Sequence, residues 1–309
     1  MVGRGDRFVD HEACSKLMAD NKTSTTTSGT GPERLLDTER FNNLVRGRYG
    51  YVLYNTNDVY VGRSLERYGE YSEFEVALFR QVCGASDIIV DVGAYIGTHT
   101  LAMSALVGNS GRVFALEPQR VVFQTLCANM ALNSVVNVEC LQVAASAENG
   151  RLLMPDIRYD IEANFGGICL RGFDKGRPIS TRRLDDLIDV PRLRLMKFDV
   201  EGMEHEAISG AAGLIAQHQP ILYVENDRQE GSKDLIDLIM SMDYRLYWHA
   251  PPLFNPDNYA GDDENIFPGV VSINMVCIHR NANVTVETLP EIVDPASHPL
   301  DSQYGHGWR

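Results

Sequence analysis

The sequence predicts an α/β fold in which a largely parallel sheet carries helices on both faces. Three observations predict it. From residue 88 to residue 248, short β-like runs alternate with segments of helical periodicity. The runs Ile88-Ile89-Val90 and Ile221-Leu222-Tyr223-Val224 are apolar at successive positions, as expected of strands covered on both sides. Glycines and acids gather at the strand ends, in "DVGAYIG" (91–97), "LEPQ" (116–119) and "KFDVEG" (197–202), which is where open sheets of this class bind ligands.

Taken in order, residues 88–92 form the first strand of the sheet. Residues 98–107 are helical, with Gly108 as a stop. A strand over 112–116 leads to a helix over 119–132, whose Val122, Leu126 and Met130 share one stripe and which ends at Asn133. Strands follow at 138–144 and 193–198. Residues 203–217 place Ala207, Ile208, Ala211, Leu214 and Ile215 at helical spacing, and Pro220 closes that helix. A strand over 221–225, a helix over 231–242, a strand over 244–248 and a long apolar strand over 270–280 complete the pattern.

The periodic part spans one domain, 36–285. Residues 1–35 contain "ADNKTSTTTSGTGPE", too poor in large apolar groups to offset the entropy of ordering, and are expected to be a flexible leader. Residues 286–309 form a proline-punctuated tail, and 147–182 an insertion between strands. The chain of 309 residues has 28 basic and 42 acidic side chains, a formal charge of −14, which argues against a nucleic-acid partner. Its six cysteines form no CxxC pair, so free thiols in a reducing, cytoplasmic setting are expected. No apolar run reaches the length of a membrane span.

Asp91 stands two residues before Gly93 at the end of an apolar strand. The dinucleotide turn is GxGxxG without a preceding acid, whereas here the spacing is GxxxG, Gly93 to Gly97. An acid there suits a ligand carrying positive charge, such as the sulfonium and ammonium of S-adenosylmethionine, or else it caps the next helix. Glu117, at the end of the second strand, is placed to accept hydrogen bonds from ribose hydroxyls, which serves NAD and S-adenosylmethionine alike. A solvated loop carboxylate is the alternative. The third strand end, Ala144 to Ser146, falls near an adenine. Lys197 lies within an apolar strand and needs a buried partner, for which Glu201 and Glu225 are candidates. Asp199 should face the same cleft as Asp91. Glu204 and Glu206 suit the start of a helix.

The pieces "YGEYSEFEVALF" (68–79), "IIVDVGAYIGTHTL" (88–101), "VFALEPQ" (113–119), "RRLDDLI" (182–188), "LMKFDVEGMEHEAISGA" (195–211), "QPILYVEN" (219–226) and "FPGVVSINMVCI" (267–278) together resemble the FkbM-type S-adenosylmethionine-dependent methyltransferases. The resemblance covers about residues 68–280, and its KxDxEGxE core is the most specific part. It implies a class I methyltransferase, Rossmann-like sheet of seven strands with an antiparallel last strand. It also implies cofactor contacts from Asp91, Gly93, Gly97 and Glu117, with Ala94, Thr98, Pro118, Ala144 and Asp199 around them, and a lid that includes "GEYSEFE". His205 departs from the small or aliphatic residue expected in that run.

The expected reaction is transfer of a methyl group to a hydroxyl of a small molecule or carbohydrate. Asp199 or Glu201 would orient the acceptor and accept its proton, Lys197 would hold the carboxylates, and Glu225 would assist. A magnesium ion on Asp199, Glu225 and Asn226 is a less favoured alternative. The insertion, with Tyr159, Phe165, Gly166, Gly167 and Arg171, either lines the acceptor pocket or is a peripheral hairpin. Tyr247, Trp248, His249, Phe254, Asn255, Tyr259 and Asn265 either bind a sugar or pack an ordinary loop. Two rival classes remain at this point, an NAD-dependent oxidoreductase or epimerase and a non-catalytic nucleoside-binding domain. The oligomeric state stays open.

Overall fold

A computed structural model describes residues 35–36 and 40–301. The leader expected over 1–35 therefore lies, Leu35 apart, outside the described residues. The described part opens with an antiparallel hairpin of β1 (Asn42–Gly47) and β2 (Gly50–Asn55), then helices α1 (Val61–Tyr68) and α2 (Glu73–Val82). Strands β3 (Ile88–Val92), β4 (Arg112–Leu116) and β5 (Val138–Leu141) alternate with α3 (Thr98–Val107) and α4 (Arg120–Leu132). A small sheet of β6 (Ala144–Ala145), β7 (Gly150–Met154) and β8 (Arg177–Arg182) interrupts the alternation. Then come β9 (Leu195–Phe198), α5 (Glu204–Ser209), α6 (Ala212–His218), β10 (Ile221–Glu225), α7 (Ser232–Ser241), β11 (Tyr244–His249) and β12 (Asn274–His279).

Seven strands form the main sheet in the order β11-β12-β10-β9-β3-β4-β5. Strand β12 is antiparallel to both of its neighbours, while β10, β9, β3, β4 and β5 run parallel. This is the seven-stranded, mostly parallel sheet with an antiparallel last strand that the resemblance implies. Side chains alternate across a strand, so each strand feeds two cores. Val90, Val92, Phe114, Met196, Phe198, Leu222, Val224 and Cys277 pack on one face against Ala207, Ile208, Leu214, Ile236 and Ile239. Ile89, Val113, Leu195, Ile221, Tyr223 and Val276 pack on the other against Val76, Phe79, Met103 and Val107. Doubly covered strands explain why the sequence shows apolar runs rather than alternation.

Three expected elements differ. The strand over 138–144 stops at Leu141, because the Val143 amide turns back onto the Leu141 carbonyl (3.1 Å) and sends Ala144 into the small sheet beside β8. The helix over 203–217 divides at Gly210. A Cβ there would lie 2.0 Å from the Ser146 carbonyl oxygen, and the Asp185 carboxylate takes the amides of Gly213 (3.0 Å) and Leu214 (2.9 Å), capping α6 as a separate helix. The strand over 270–280 shortens to β12, and residues 270–273 become cleft wall.

The tail returns to the sheet. Trp248 donates to the Pro290 carbonyl and Ile292 to that of Leu246, so residues 290–292 cover the free edge of β11. The hairpin is anchored by Asn129, fully buried on α4, which accepts from the Leu53 amide (2.6 Å) and donates to the carbonyls of Leu53 (3.0 Å) and Ile96 (2.8 Å). Residues Cys83, Cys127, Cys140, Cys169 and Cys277 are unpaired thiols, of which Cys277 alone is buried and the other four are half-buried.

Candidate active site

A cleft of about 850 Å³ opens at the carboxyl ends of the parallel strands. Its first wall is the turn between β3 and α3. The amides of Gly93 (3.0 Å) and Ala94 (2.9 Å) hook onto the Leu116 carbonyl of the next strand. Gly93 has φ +83°, and a Cβ on it would sit 1.7 Å from the Asp199 carbonyl oxygen, so this position requires glycine for both conformation and space. Ala94 and Thr98 also line the cleft.

Glu117 projects from the end of β4 into the same space. Its carboxylate accepts the amides of Gln119 (2.7 Å) and Tyr95 (3.1 Å). Among the described residues no basic side chain pairs with it, and burial pushes its carboxyl up to about 8 against the pull of those two amides. Pro118 and Ala144 continue this wall. The insertion completes it: β7 and β8 form the expected hairpin at the periphery, while Asn164, Gly166, Ile168 and Leu170 cross over and line the cleft. Phe165 is fully buried behind them, and Arg171 points away to pair with Glu206.

The opposite end is acidic. Asp199, Glu201, Glu225 and Asp227 line it together with Lys197. The Lys197 ammonium lies 2.9 Å from Asp199 and 3.5 Å from Asp91. Burial works against the lysine's charge, but the two carboxylates outweigh it and raise its pKa. Burial likewise disfavours ionised Asp199, yet Lys197 holds that carboxyl below its ordinary value. Glu201 and Glu225 go the other way. Burial first, then repulsion from Asp199, pushes both well above the usual carboxylate range, although Arg228 pairs with Glu201. Carboxylate oxygens of Asp199, Glu201 and Glu225 lie within 4.8 Å of one another.

Several expected placements are corrected. Asp91 has no exposed surface and stands behind the cleft wall, because it is paired across the sheet with Lys197 and accepts from Thr100 Oγ1 at 2.7 Å. Oδ2 takes that hydroxyl, while Oδ1 is buried without a hydrogen-bond partner and faces the Lys197 ammonium at 3.5 Å. Lys197 is therefore partnered by Asp91 and Asp199, not by Glu201 or Glu225. Gly97 does not line the cleft. Its φ of +88° starts α3, and a Cβ would collide with Leu126 at 2.6 Å. Asn226 turns its amide to Ser232 Oγ and Met275 Sδ and is no part of the carboxylate cluster. His205 is an exposed helix residue, and Glu204 caps the turn before α5 by accepting the amides of Val200 and Gly202.

The aromatic and amide set of the later loops packs rather than lining the cleft. Tyr247 and Trp248 are buried in β11, Phe254 packs against Tyr68 with tilted rings 5.3 Å apart, and Asn255 donates to Glu70. Cleft residues that the sequence did not single out include Tyr71, Glu75, Tyr95, His99 and Gln119. Tyr71 and Glu75 come from the segment expected as a lid. His99 follows Thr98 in the glycine motif itself, and its Nε2 is buried without a hydrogen-bond partner.

The fold, the glycine turn and the two carboxylate-bearing strand ends define a class I methyltransferase domain. The sequence profile described as Methyltransferase FkbM domain matches residues 91–246, just over half of the chain, and the chain belongs to that family. A curated relative, Methyltransferase 1 of Beauveria bassiana (strain ARSEF 2860), is 29% identical over an alignment of 143 residues that covers 40% of this chain and 57% of that protein. The chain thus spans a little over half the length of the curated relative it matches. The FkbM methyltransferase of Methylobacillus flagellatus KT is similar at 20% identity and a TM-score of 0.41, over 66% of this chain and 50% of that one. Aeropyrum pernix fibrillarin, solved with natively bound S-adenosyl-L-methionine, is similar at 13% identity and a TM-score of 0.40, over 80% of this chain and 99% of that one. Among the described residues no helix is long and apolar enough to cross a membrane.

Proposed function

We propose that the protein transfers a methyl group from S-adenosylmethionine to a hydroxyl of a small molecule or carbohydrate. The observation that carries this reading is one continuous cleft with two unlike ends: a glycine turn beside Glu117, and Asp199 held by Lys197. Glu117 would accept the ribose hydroxyls, Ala94, Pro118 and Ala144 would flank the nucleoside, and Asp199 would face the cationic end. The donor supplies an electrophilic methyl carbon on its sulfonium. The protein's part is to aim a hydroxyl oxygen in line with that carbon, exclude water and receive the hydroxyl proton. Asp199 suits the last task, since the Lys197 ammonium keeps it ionised, whereas Glu201 and Glu225 hold their protons to higher pH and can donate hydrogen bonds to the acceptor. The net charge of −14 and the acidic cleft end both disfavour phosphate-bearing acceptors.

Methyl-labelled donor incubated with hydroxylated small molecules and oligosaccharides should yield a labelled methyl ether. Label on nitrogen, or none on any acceptor while the donor binds, would count against the reading. Asp199→Asn should lower turnover about 10²-fold or more, and Glu201→Gln less. Near-normal turnover in both variants with unchanged donor affinity removes the assigned base.

A second reading places a divalent cation on Asp199, Glu201 and Glu225, where it would acidify the acceptor hydroxyl. The convergence of these oxygens within 4.8 Å favours it, and the ion pairs that already occupy Asp199 and Glu201 weigh against it. Turnover should survive exhaustive EDTA treatment under the first reading and disappear under the second.

A further inference from the structure

Tyr95 is the third residue of the GAYIG turn and one of the few non-glycine residues with positive φ, at +51°. An aromatic side chain does not adopt that conformation without support. The support comes from outside the motif. Its hydroxyl donates to Asp58 Oδ2 at 2.5 Å, and Asp58 is almost fully buried. The other Asp58 oxygen accepts the amides of Tyr60 (2.9 Å) and Val61 (3.1 Å), which fixes the carboxylate at the start of α1. Asp58 also forms a β-bridge with Ala163 in the crossing segment of the insertion, and Gly166 of that segment lies against the Tyr95 ring. At its other end, Tyr95 presents its backbone amide to Glu117 Oε2 at 3.1 Å. One residue thus joins the N-terminal layer, the insertion and the nucleoside carboxylate.

We propose that Tyr95, clamped by Asp58, is a positioning residue for the nucleoside end of the site: it locks the strained turn so that its amide holds Glu117 in the orientation that accepts the ribose. The inference rests on the assignment of this cleft to S-adenosylmethionine. Without the clamp the turn relaxes toward negative φ, its amide leaves Glu117, and that buried carboxylate keeps only the Gln119 amide. The aromatic ring and the fold remain.

The test is calorimetry with S-adenosylhomocysteine as the probe, on the full chain. Wild-type protein should bind it. Tyr95→Phe, which removes only the hydroxyl, should weaken binding about tenfold, the size of one charge-assisted hydrogen bond, with melting temperature and far-ultraviolet circular dichroism unchanged. Asp58→Ala, which releases the same hydroxyl from the other side, should weaken binding at least as much. The coupling to Glu117 is read from a double-mutant cycle: in a Glu117→Gln background, Tyr95→Phe should have less than a twofold further effect. Binding within twofold of wild type in both Tyr95→Phe and Asp58→Ala overturns the proposal, as does a Tyr95→Phe penalty undiminished by Glu117→Gln. Failure of the wild type itself to bind the probe would instead sink the assignment of the cleft.

Discussion

Glu117 and Asp199 occupy matching places, each at the end of a parallel strand and each lining the same cleft, yet they are held in opposite ways. Glu117 is met by two backbone amides and, among the described residues, by no cation, and burial lifts its carboxyl to about 8. Asp199 is met by the Lys197 ammonium and stays below its ordinary value despite burial. Burial alone thus does not set the charge of these two carboxyls; at Asp199 the neighbouring ammonium outweighs it, whereas at Glu201 the Arg228 pair does not. The difference suits the two tasks proposed for them. A carboxylate that grips neutral hydroxyls can tolerate a raised proton affinity, whereas one that faces a sulfonium and takes a proton must begin ionised.

The comparison breaks most completely at Lys197. Replacing it with methionine leaves the fully buried Asp91 and the half-buried Asp199 without their cation, which should destabilise the protein by about 3–5 kcal/mol, measured by urea denaturation at pH 7. A loss below about 1 kcal/mol would mean that the ammonium is not what holds the pair.

Gly93 separates the two strand ends, and Gly93→Ala should come next. The backbone conformation alone costs on the order of 1–3 kcal/mol, and the methyl group would have to displace the Asp199 carbonyl. Donor affinity measured by calorimetry should fall at least tenfold, because both ends of the cleft shift. An alanine variant with native affinity would show that the turn has more room than its geometry indicates.

A pH titration sharpens the contrast at the Glu117 end. Between its unfolded value of 4.5 and its folded value of about 8, the folded protein binds the extra proton at this carboxyl, so its contribution to stability is full below 4.5 and declines as the pH climbs through 8. Ribose hydroxyls favour the ionised form. Affinity for S-adenosylhomocysteine should therefore rise by up to about tenfold per pH unit below 8 and level off above it. Glu117→Gln should flatten this dependence. A wild-type profile already flat between pH 6 and pH 8 would show that the carboxyl is ionised throughout.

Much of the sheet is legible in the sequence. The runs at 88–92, 112–116 and 221–225 coincide with β3, β4 and β10, and the glycine stop at 108 ends α3, because local apolarity and backbone preference act there without competition. The site is legible to a smaller degree. Gly93, Ala94, Thr98, Glu117, Pro118, Ala144, Lys197, Asp199, Glu201 and Glu225 all reach the cleft, since a strand end fixes where its next residues go. Asp91 was misplaced because a one-dimensional pattern cannot show that a lysine 106 positions later sits directly opposite it in the sheet. Tyr95 and Asp58 give no signal, because their hydrogen bond joins two layers whose docking is a tertiary event.

The sequence by itself determined the α/β class, the order of its main strands and the edge of the sheet at which side chains carry chemistry, because periodicity and glycine placement act over a few residues. Tertiary structure alone decided which acid meets which base, which carboxylate faces the cleft and which lies behind its wall. Those outcomes depend on strand register and on layers brought together from distant parts of the chain, where burial and the nearest cation set each group's charge.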